Sequence, residues 1–198
     1  MKKFLKLFFS FLLIVVAVYF LFFSKRYPLS IISHSMSVGD SVDSYNGVTV
    51  YNNGIDYPKS YGRHYNSDSS FYYGKKWQCV EFIKRYYYDH LRFAMPDGMG
   101  NAKDFYDPAV NNGKLNKRRG LLQFKNDSTS RPQPDDILVF GGKYGHVAIV
   151  TRVSDTEVEV IQQNIYMTPR ETFPLKFVNG IYSVGDRKKP NGWLRKAD

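Results

Sequence analysis

The order of hydrophobic patterns along the chain most constrains its fold. Apolar residues recur every three or four positions between Gln78 and Leu91, which predicts an amphipathic helix. Short apolar segments of strand length follow, separated by Gly-Gly and Ser-Asp turns. A helix followed by antiparallel strands predicts an α+β domain. The predicted strands are 48–51, 137–140, 146–151, 157–163, 173–178 and 192–194, while 56–74 and 95–135 are predicted to be mostly loop.

An uncharged apolar run, residues 7–23, precedes this domain and has basic residues on both sides. As a helix it would extend about 25 Å, close to the thickness of a hydrocarbon core, and no small-residue cleavage site follows it. We therefore expect residues 1–26 to be a transmembrane anchor rather than a cleaved signal peptide or a buried core helix. Residues 27–44 are then a linker to a domain at 45–198. The greater positive charge before the run favours a single-pass protein with its domain outside the cytoplasm.

The net charge of +10 is concentrated at the N-terminus, because five positive charges and no acid lie within the first 26 residues. The rest of the chain is moderately basic. Its densest basic cluster, residues 114–119, is typical of a solvated loop or of a surface that meets an anionic polymer or lipid. No nucleic-acid motif and no metal-ligand spacing are present, so we expect no nucleic-acid partner, no metal and no cofactor.

The chain contains a single cysteine, which excludes an intrachain disulfide. Cys79 falls at the start of the predicted helix, where unpaired amides and the helix dipole favour a thiolate. The same amides can stabilise an oxyanion. A lone cysteine beside Trp77 and Val80 is also typical of a small buried apolar residue, so position alone leaves a nucleophile and a core residue as alternatives.

His146 is the histidine best placed to act with a nucleophile. It begins a predicted strand after a glycine-rich turn, where a side chain can point into a cleft. The other three histidines, His34, His64 and His90, lie in the predicted linker, in a loop and near the helix end.

The register of the hairpin after His146 predicts its partner. If the turn is centred on Ser154, three pairs of residues lie opposite each other on one face of the hairpin: Val150 with Val158, Ala148 with Val160, and His146 with Gln162. The apolar pairs fix this face as buried. An amide acceptor beside a histidine can set its tautomer, as a catalytic base requires. A polar pair at a sheet edge is the alternative.

These residues also resemble a known family. The segment 74–82, Gly-Lys-Lys-Trp-Gln-Cys-Val-Glu-Phe, resembles the nucleophile segment of CHAP domains, which are cysteine- and histidine-dependent amidohydrolases/peptidases with a papain-like α+β fold. Residues 134–140 and 145–150 resemble the second motif of the family, and 162–164 the third. Within the family the match is greatest to the amidase domain of glutathionylspermidine synthetase/amidase and its trypanothione-type relatives.

The resemblance implies a role for each matched residue. Cys79 would be the nucleophile, His146 the general base and Gln162 the third catalytic residue, with Gln78 and Asn164 as supporting residues. The amidase relatives carry a glutamate where this chain has Gln162. An amide can orient the ring but supplies no charge, so lower activity, a shifted pH optimum and lost activity are all expected alternatives.

The resemblance leads us to expect a membrane-anchored hydrolase that cleaves amide bonds through a Cys thiolate and an acyl-enzyme. The predicted anchor favours peptidoglycan as the substrate. A small-conjugate amidase of the glutathionylspermidine type is the alternative. A non-catalytic cell-wall-binding module is a further alternative, suggested by Gln162.

Overall fold

The computed structural model describes Leu12, Tyr19 and residues 36–96 and 99–197. Apart from Leu12 and Tyr19, the predicted anchor at residues 1–26 lies outside the described residues. No helix within the described part of the chain is both long and apolar enough to cross a membrane. Met36–Asp198 forms a compact unit by itself.

Antiparallel strands and one α-helix make up the described part of this unit. The strands are β1 (Ser41–Tyr45), β2 (Val48–Tyr51), β3 (Arg63–Tyr65), β4 (Tyr72–Lys75), β5 (Lys114–Asn116), β6 (Leu121–Lys125), β7 (Ile137–Phe140), β8 (His146–Val153), β9 (Glu157–Ile161), β10 (Arg170–Val178), β11 (Ile181–Val184) and β12 (Gly192–Arg195). The helix α1 (Cys79–Asp89) follows β4, and a 3-10 helix at Ala102–Phe105 precedes β5.

Eight of these strands form one sheet in the order β11-β10-β9-β8-β7-β12-β6-β5. Strands β7 to β11 form a meander, and β12 returns to lie between β7 and β6. Ser128, just after β6, pairs with Tyr182 of β11 through two backbone hydrogen bonds. This bridge brings the end of β6 next to β11, although five strands lie between them in the sheet order. The sheet is therefore curled.

The curled sheet has a buried core on each face. On one face, Phe82 and Ile83 of α1 pack with Val147 and Ile149 of β8. On the other face, Val150, Val160, Trp193 and neighbouring residues fill the inside of the curl. The expected α+β arrangement, a Cys-bearing helix packed on an antiparallel sheet, is confirmed.

The predicted helix and strands are present, but the predicted loops contain more structure than expected. Segment 56–74 includes β3 and most of β4, and segment 95–135 includes β5 and β6. These strands are short and rich in Tyr, Gly and polar residues, so their sequences lack the apolar pattern that predicts strands. Residues 41–44, assigned to the linker, form part of β1, which pairs with β2.

The predicted hairpin register is wrong. Val150 opposes Val160, not Val158, because the turn spans residues 154–157 and a bulge interrupts the pairing at Thr151. The predicted face is nevertheless buried, since Val150, Val158 and Val160 all lie in the core inside the curl. Gln162 comes after the end of β9, so it is not the direct cross-strand partner of His146.

Candidate functional site

Cys79 is the first residue of α1, and Gln78 before it has an extended backbone. The thiol is buried, with the backbone N–H groups of Val147, Val80 and Cys79 itself directed at it. Burial raises the pKa of Cys79 to about 11, although these three N–H groups act to lower it. The resting group is therefore a neutral thiol, and the thiolate expected from the helix dipole is not the stable form here.

A glycine before His146 brings the start of β8 into place. Gly145 has a φ of +73°, and a Cβ atom there would lie 2.4 Å from the backbone nitrogen of Lys103 in the 3-10 helix. The Lys103 N–H also donates to the Tyr144 carbonyl at 3.1 Å. Only glycine allows this close approach, which fixes the chain just before His146 and Val147.

His146 is buried, and only one of its two ring nitrogens has a hydrogen-bond partner among the described residues. Its Nε2 lies 2.9 Å from Oε1 of Gln162, while Nδ1 has no hydrogen-bond partner among the described residues. Burial lowers the pKa of His146 to about 4; Gln162 and Glu171 act to raise it and Lys188 to lower it. The imidazole is therefore neutral at neutral pH. The pairing with Gln162 predicted from the sequence is present, although the register that led to it is wrong.

Gln78 and Asn164 are joined by a hydrogen bond and belong to a network separate from the His146–Gln162 pair. Asn164 Nδ2 donates to Gln78 Oε1 at 2.8 Å and to the Tyr57 carbonyl at 3.2 Å, and Asn53 Nδ2 donates to Asn164 Oδ1 at 2.5 Å. Gln78 Nε2 donates to the Lys59 carbonyl at 2.7 Å. Both amides thus hold the Tyr57–Lys59 segment against the start of α1, and Asn164 supports this segment rather than the His146 ring.

Cys79 and His146 line two neighbouring clefts. Cys79 lies in a cleft of about 520 Å³, and His146 lies in one of about 500 Å³. Tyr57, Tyr144 and Gly145 line both clefts, and the Tyr57 hydroxyl donates to the Gly145 carbonyl at 3.1 Å. Tyr57 therefore separates the two clefts, a role that no sequence pattern indicated.

The two clefts share a positive lining. The basic residues that line them are Lys75, Lys84 and Arg119 on the Cys79 side and Lys143, Arg187, Lys188 and Lys189 on the His146 side. No acidic residue lines either cleft within the described part of the chain. Both clefts therefore favour anionic over cationic groups.

A buried charged cluster, which the sequence did not reveal, lies next to the site. Glu81 accepts hydrogen bonds from Arg85 Nε and Gln163 Nε2, both at 2.6 Å, and its Oε1 lies 2.8 Å from His64 Nδ1. Burial disfavours the ionised carboxylate, but these partners lower the pKa of Glu81 overall. Gln163 also donates to the Gln78 carbonyl at 3.1 Å, which ties the cluster to the residue before Cys79.

Comparison with known proteins agrees with this arrangement. Residues 69–164 match the CHAP domain family. The bifunctional glutathionylspermidine synthetase/amidase of Escherichia coli strain K12 is 30% identical over 175 residues, covering 77% of this chain and 28% of that protein. The Shigella flexneri protein of the same name gives the same values. Trypanothione synthetase of Crithidia fasciculata is 24% identical over 142 residues, covering 64% of this chain and 22% of that protein.

The chain thus spans 28% or less of the length of each of these curated relatives. The family match begins before β4 and ends just after β9, so it contains α1 and the start of β8. All five residues singled out from the sequence lie within it: Gln78, Cys79, His146, Gln162 and Asn164. The resemblance inferred from the motifs is confirmed, and residues 69–164 of the chain match the CHAP domain family.

Proposed function

We propose that this protein is a cysteine amidohydrolase/peptidase with Cys79 as nucleophile and His146 as general base. The observation that carries the proposal is the placement of the two groups. The Cys79 thiol lies at the N-terminus of α1 against the backbone N–H of Val147. The residue before Val147 is His146, whose Nδ1 has no partner among the described residues. A buried ring nitrogen without a partner, one residue from a backbone N–H that is directed at a buried thiol, is typical of a catalytic site.

Gln162 determines which nitrogen of His146 acts as the base. Its Oε1 can only accept, so Nε2 of His146 carries the proton and Nδ1 carries the lone pair. Nδ1 takes the proton of the Cys79 thiol as the sulfur attacks the amide carbonyl carbon. The backbone N–H of Cys79, at the helix N-terminus, donates to the oxyanion that forms.

The tetrahedral intermediate then collapses to a thioester. The C–N bond breaks, and the leaving amine takes the proton from the imidazolium of His146. Water attacks the thioester with Nδ1 again as base, which releases a carboxylic acid and restores the thiol. Because burial disfavours both the thiolate of Cys79 and the imidazolium of His146, we propose that proton transfer accompanies the attack rather than preceding it.

For the substrate, we propose the peptides of peptidoglycan, at the outer side of a membrane to which residues 1–26 anchor the protein. The positive lining of both clefts supports this proposal, because such peptides carry carboxylates close to their amide bonds. The uncharged run at residues 7–23 supports the anchor.

A conjugate amidase is the second candidate, supported by the similarity to glutathionylspermidine synthetase/amidase. Its polyamine group is cationic and would meet lysines in either cleft, which ranks it below an anionic peptide. A non-catalytic binding module is the third candidate, supported by Gln162 in place of a glutamate. The neutral Nδ1 of His146, which has no partner among the described residues, argues against it.

The test uses the full chain in detergent, incubated separately with purified peptidoglycan and with glutathionylspermidine. Mass spectrometry of the released products identifies the amide that is cut. We expect cleavage of peptidoglycan peptides that is lost in Cys79→Ala. Cleavage of glutathionylspermidine alone would favour the conjugate amidase. Cleavage of neither substrate would favour the non-catalytic binding module. A topology reporter fused after Asp198 tests the anchor, and a cytoplasmic signal would contradict the exported orientation.

A further inference from the structure

The amide of Gln162 has only one orientation that satisfies its surroundings. Its Nε2 donates to the Thr168 carbonyl at 3.1 Å and to Glu171 Oε2 at 3.2 Å. Both of these groups are acceptors, so the NH₂ group faces them and Oε1 faces His146. A flipped amide would place its oxygen against a carbonyl and a carboxylate. Glu171, in β10, therefore helps to determine which atom His146 meets.

Glu171 also supplies the negative charge that Gln162 lacks. The side chains of His146, Gln162 and Glu171 form one continuous chain of hydrogen bonds from β8 to β10. A neutral amide can pass on orientation, but only the carboxylate at its end favours the charged imidazolium. Glu171 acts to raise the pKa of His146, in agreement with this position.

Lys188 opposes this charge. Its Nζ lies 2.7 Å from the same Oε2 atom of Glu171 and 5.1 Å from the ring centre of Phe140, which packs beside His146. Lys188 acts to lower the pKa of His146. The other titratable groups that line the His146 cleft are Tyr57, Lys143, Tyr144, Arg187 and Lys189, and Cys79 lines the neighbouring cleft.

We propose that Glu171 is a positioning residue that acts on His146 through Gln162, holding the amide in its productive orientation and stabilising the imidazolium from one residue further away. Lys188 forms an ion pair with Glu171 and so weakens the stabilisation of the imidazolium by this carboxylate. The proposal rests on the proposed amidohydrolase function, because the imidazolium forms during that reaction. It explains how a chain with glutamine at the third position retains a carboxylate in the site.

Two single substitutions give opposite expected effects. Glu171→Gln keeps an acceptor for Gln162 Nε2 but removes the charge, so the imidazolium is less stable and the pKa of His146 falls. Lys188→Gln removes the opposing cation, so the pKa rises. We expect kcat to fall about tenfold in Glu171→Gln with little change in KM, and not to fall in Lys188→Gln. Glu157→Gln, an exposed glutamate on β9, is the charge-matched control.

The direct measurement is the NMR titration of the His146 ring in the full chain, without substrate. Equal pKa values in wild type and both variants, or shifts of the same sign, would overturn the proposal. A loss of activity in Glu171→Gln with an unchanged His146 pKa would also overturn it and make Glu171 structural. This titration does not depend on catalysis, so it separates failure of this proposal from failure of the proposed function.

The double variant Gln162→Glu with Glu171→Gln moves the carboxylate next to His146 and places an amide behind it. We expect kcat to recover relative to Glu171→Gln, together with a higher pKa of His146. Failure to recover either quantity in a folded double variant would contradict the idea that Glu171 supplies the charge.

Discussion

Two buried polar clusters near the start of α1 differ in how completely they are paired. Glu81 is ionised and receives hydrogen bonds from Arg85, Gln163 and His64, and none of their buried side-chain polar atoms lacks a partner. In the other cluster, the thiol of Cys79 is neutral and Nδ1 of His146 is unpaired within the described part of the chain.

This difference separates a structural cluster from a reactive one. Full pairing stabilises an ion pair that burial would otherwise disfavour, so the Glu81 cluster holds the helix in place. A buried base without a partner costs free energy in the resting protein and leaves its lone pair available to a substrate. The neighbouring residues Gln162 and Gln163 belong one to each cluster, which makes them the sharpest probes of this comparison.

Cys79→Ala should have the largest effect. Removal of the nucleophile abolishes thioester formation, so we expect kcat/KM for amide cleavage to fall at least 1000-fold, an order-of-magnitude figure for loss of a nucleophile. The Glu81 cluster is untouched, and circular dichroism should show an unchanged fold. Cleavage at the wild-type rate by this variant would rule out Cys79 as the nucleophile.

Glu81→Ala should break the structural cluster instead. It leaves the buried guanidinium of Arg85 without its carboxylate, and we expect the free energy of unfolding to fall by about 3 kcal/mol in urea titrations. Because the pKa of Glu81 is lowered in the folded state, this stabilisation is present above its unfolded pKa and is lost as the pH falls through the folded pKa. Glu157→Ala is the exposed control; an equal loss in both variants would contradict the comparison.

The pH dependence of Cys79 alkylation tests the neutral state of the reactive cluster. With a pKa of about 11, the rate of reaction with iodoacetamide should rise with pH up to that value. At pH 7 the thiolate fraction should be about 300-fold below that of an ordinary thiol, which the urea-unfolded chain provides as a control. A plateau between pH 5 and 8 would instead show a resting thiolate–imidazolium pair.

Gln162→Ala and Gln163→Ala should give the smallest effects and the sharpest contrast. Loss of Gln162 frees the His146 ring, so we expect kcat to fall about tenfold with a modest change in stability. Loss of Gln163 removes a donor to the ionised Glu81, so we expect about 2 kcal/mol less stability and most of the activity retained. Activity assays and urea titrations on both variants check this, and a reversed order would contradict the division into two clusters.

The site residues that could be predicted from the sequence are those whose positions depend only on their own segment of the chain. Cys79 at a helix start and His146 at a strand start are visible as short motifs, because each depends on its own segment. The Gln162 partner was predicted through an incorrect register, since the turn spans residues 154–157 instead of being centred on Ser154, and the bulge at Thr151 corrects the offset only in part. Tyr57 and Glu171 were missed because their proximity to the site depends on a folded loop and on three adjacent strands.

The sequence by itself determined the α+β class, the helix that begins at Cys79, the strand that begins at His146 and the family to which both motifs belong. These features depend on local periodicity and on short motifs. Only the tertiary structure decided the charge states of the site, because burial raises the pKa of Cys79 and lowers that of His146. It also decided that Glu171 lies behind Gln162, since that contact depends on the register of β10 against β9 and on the fold of the loop between them.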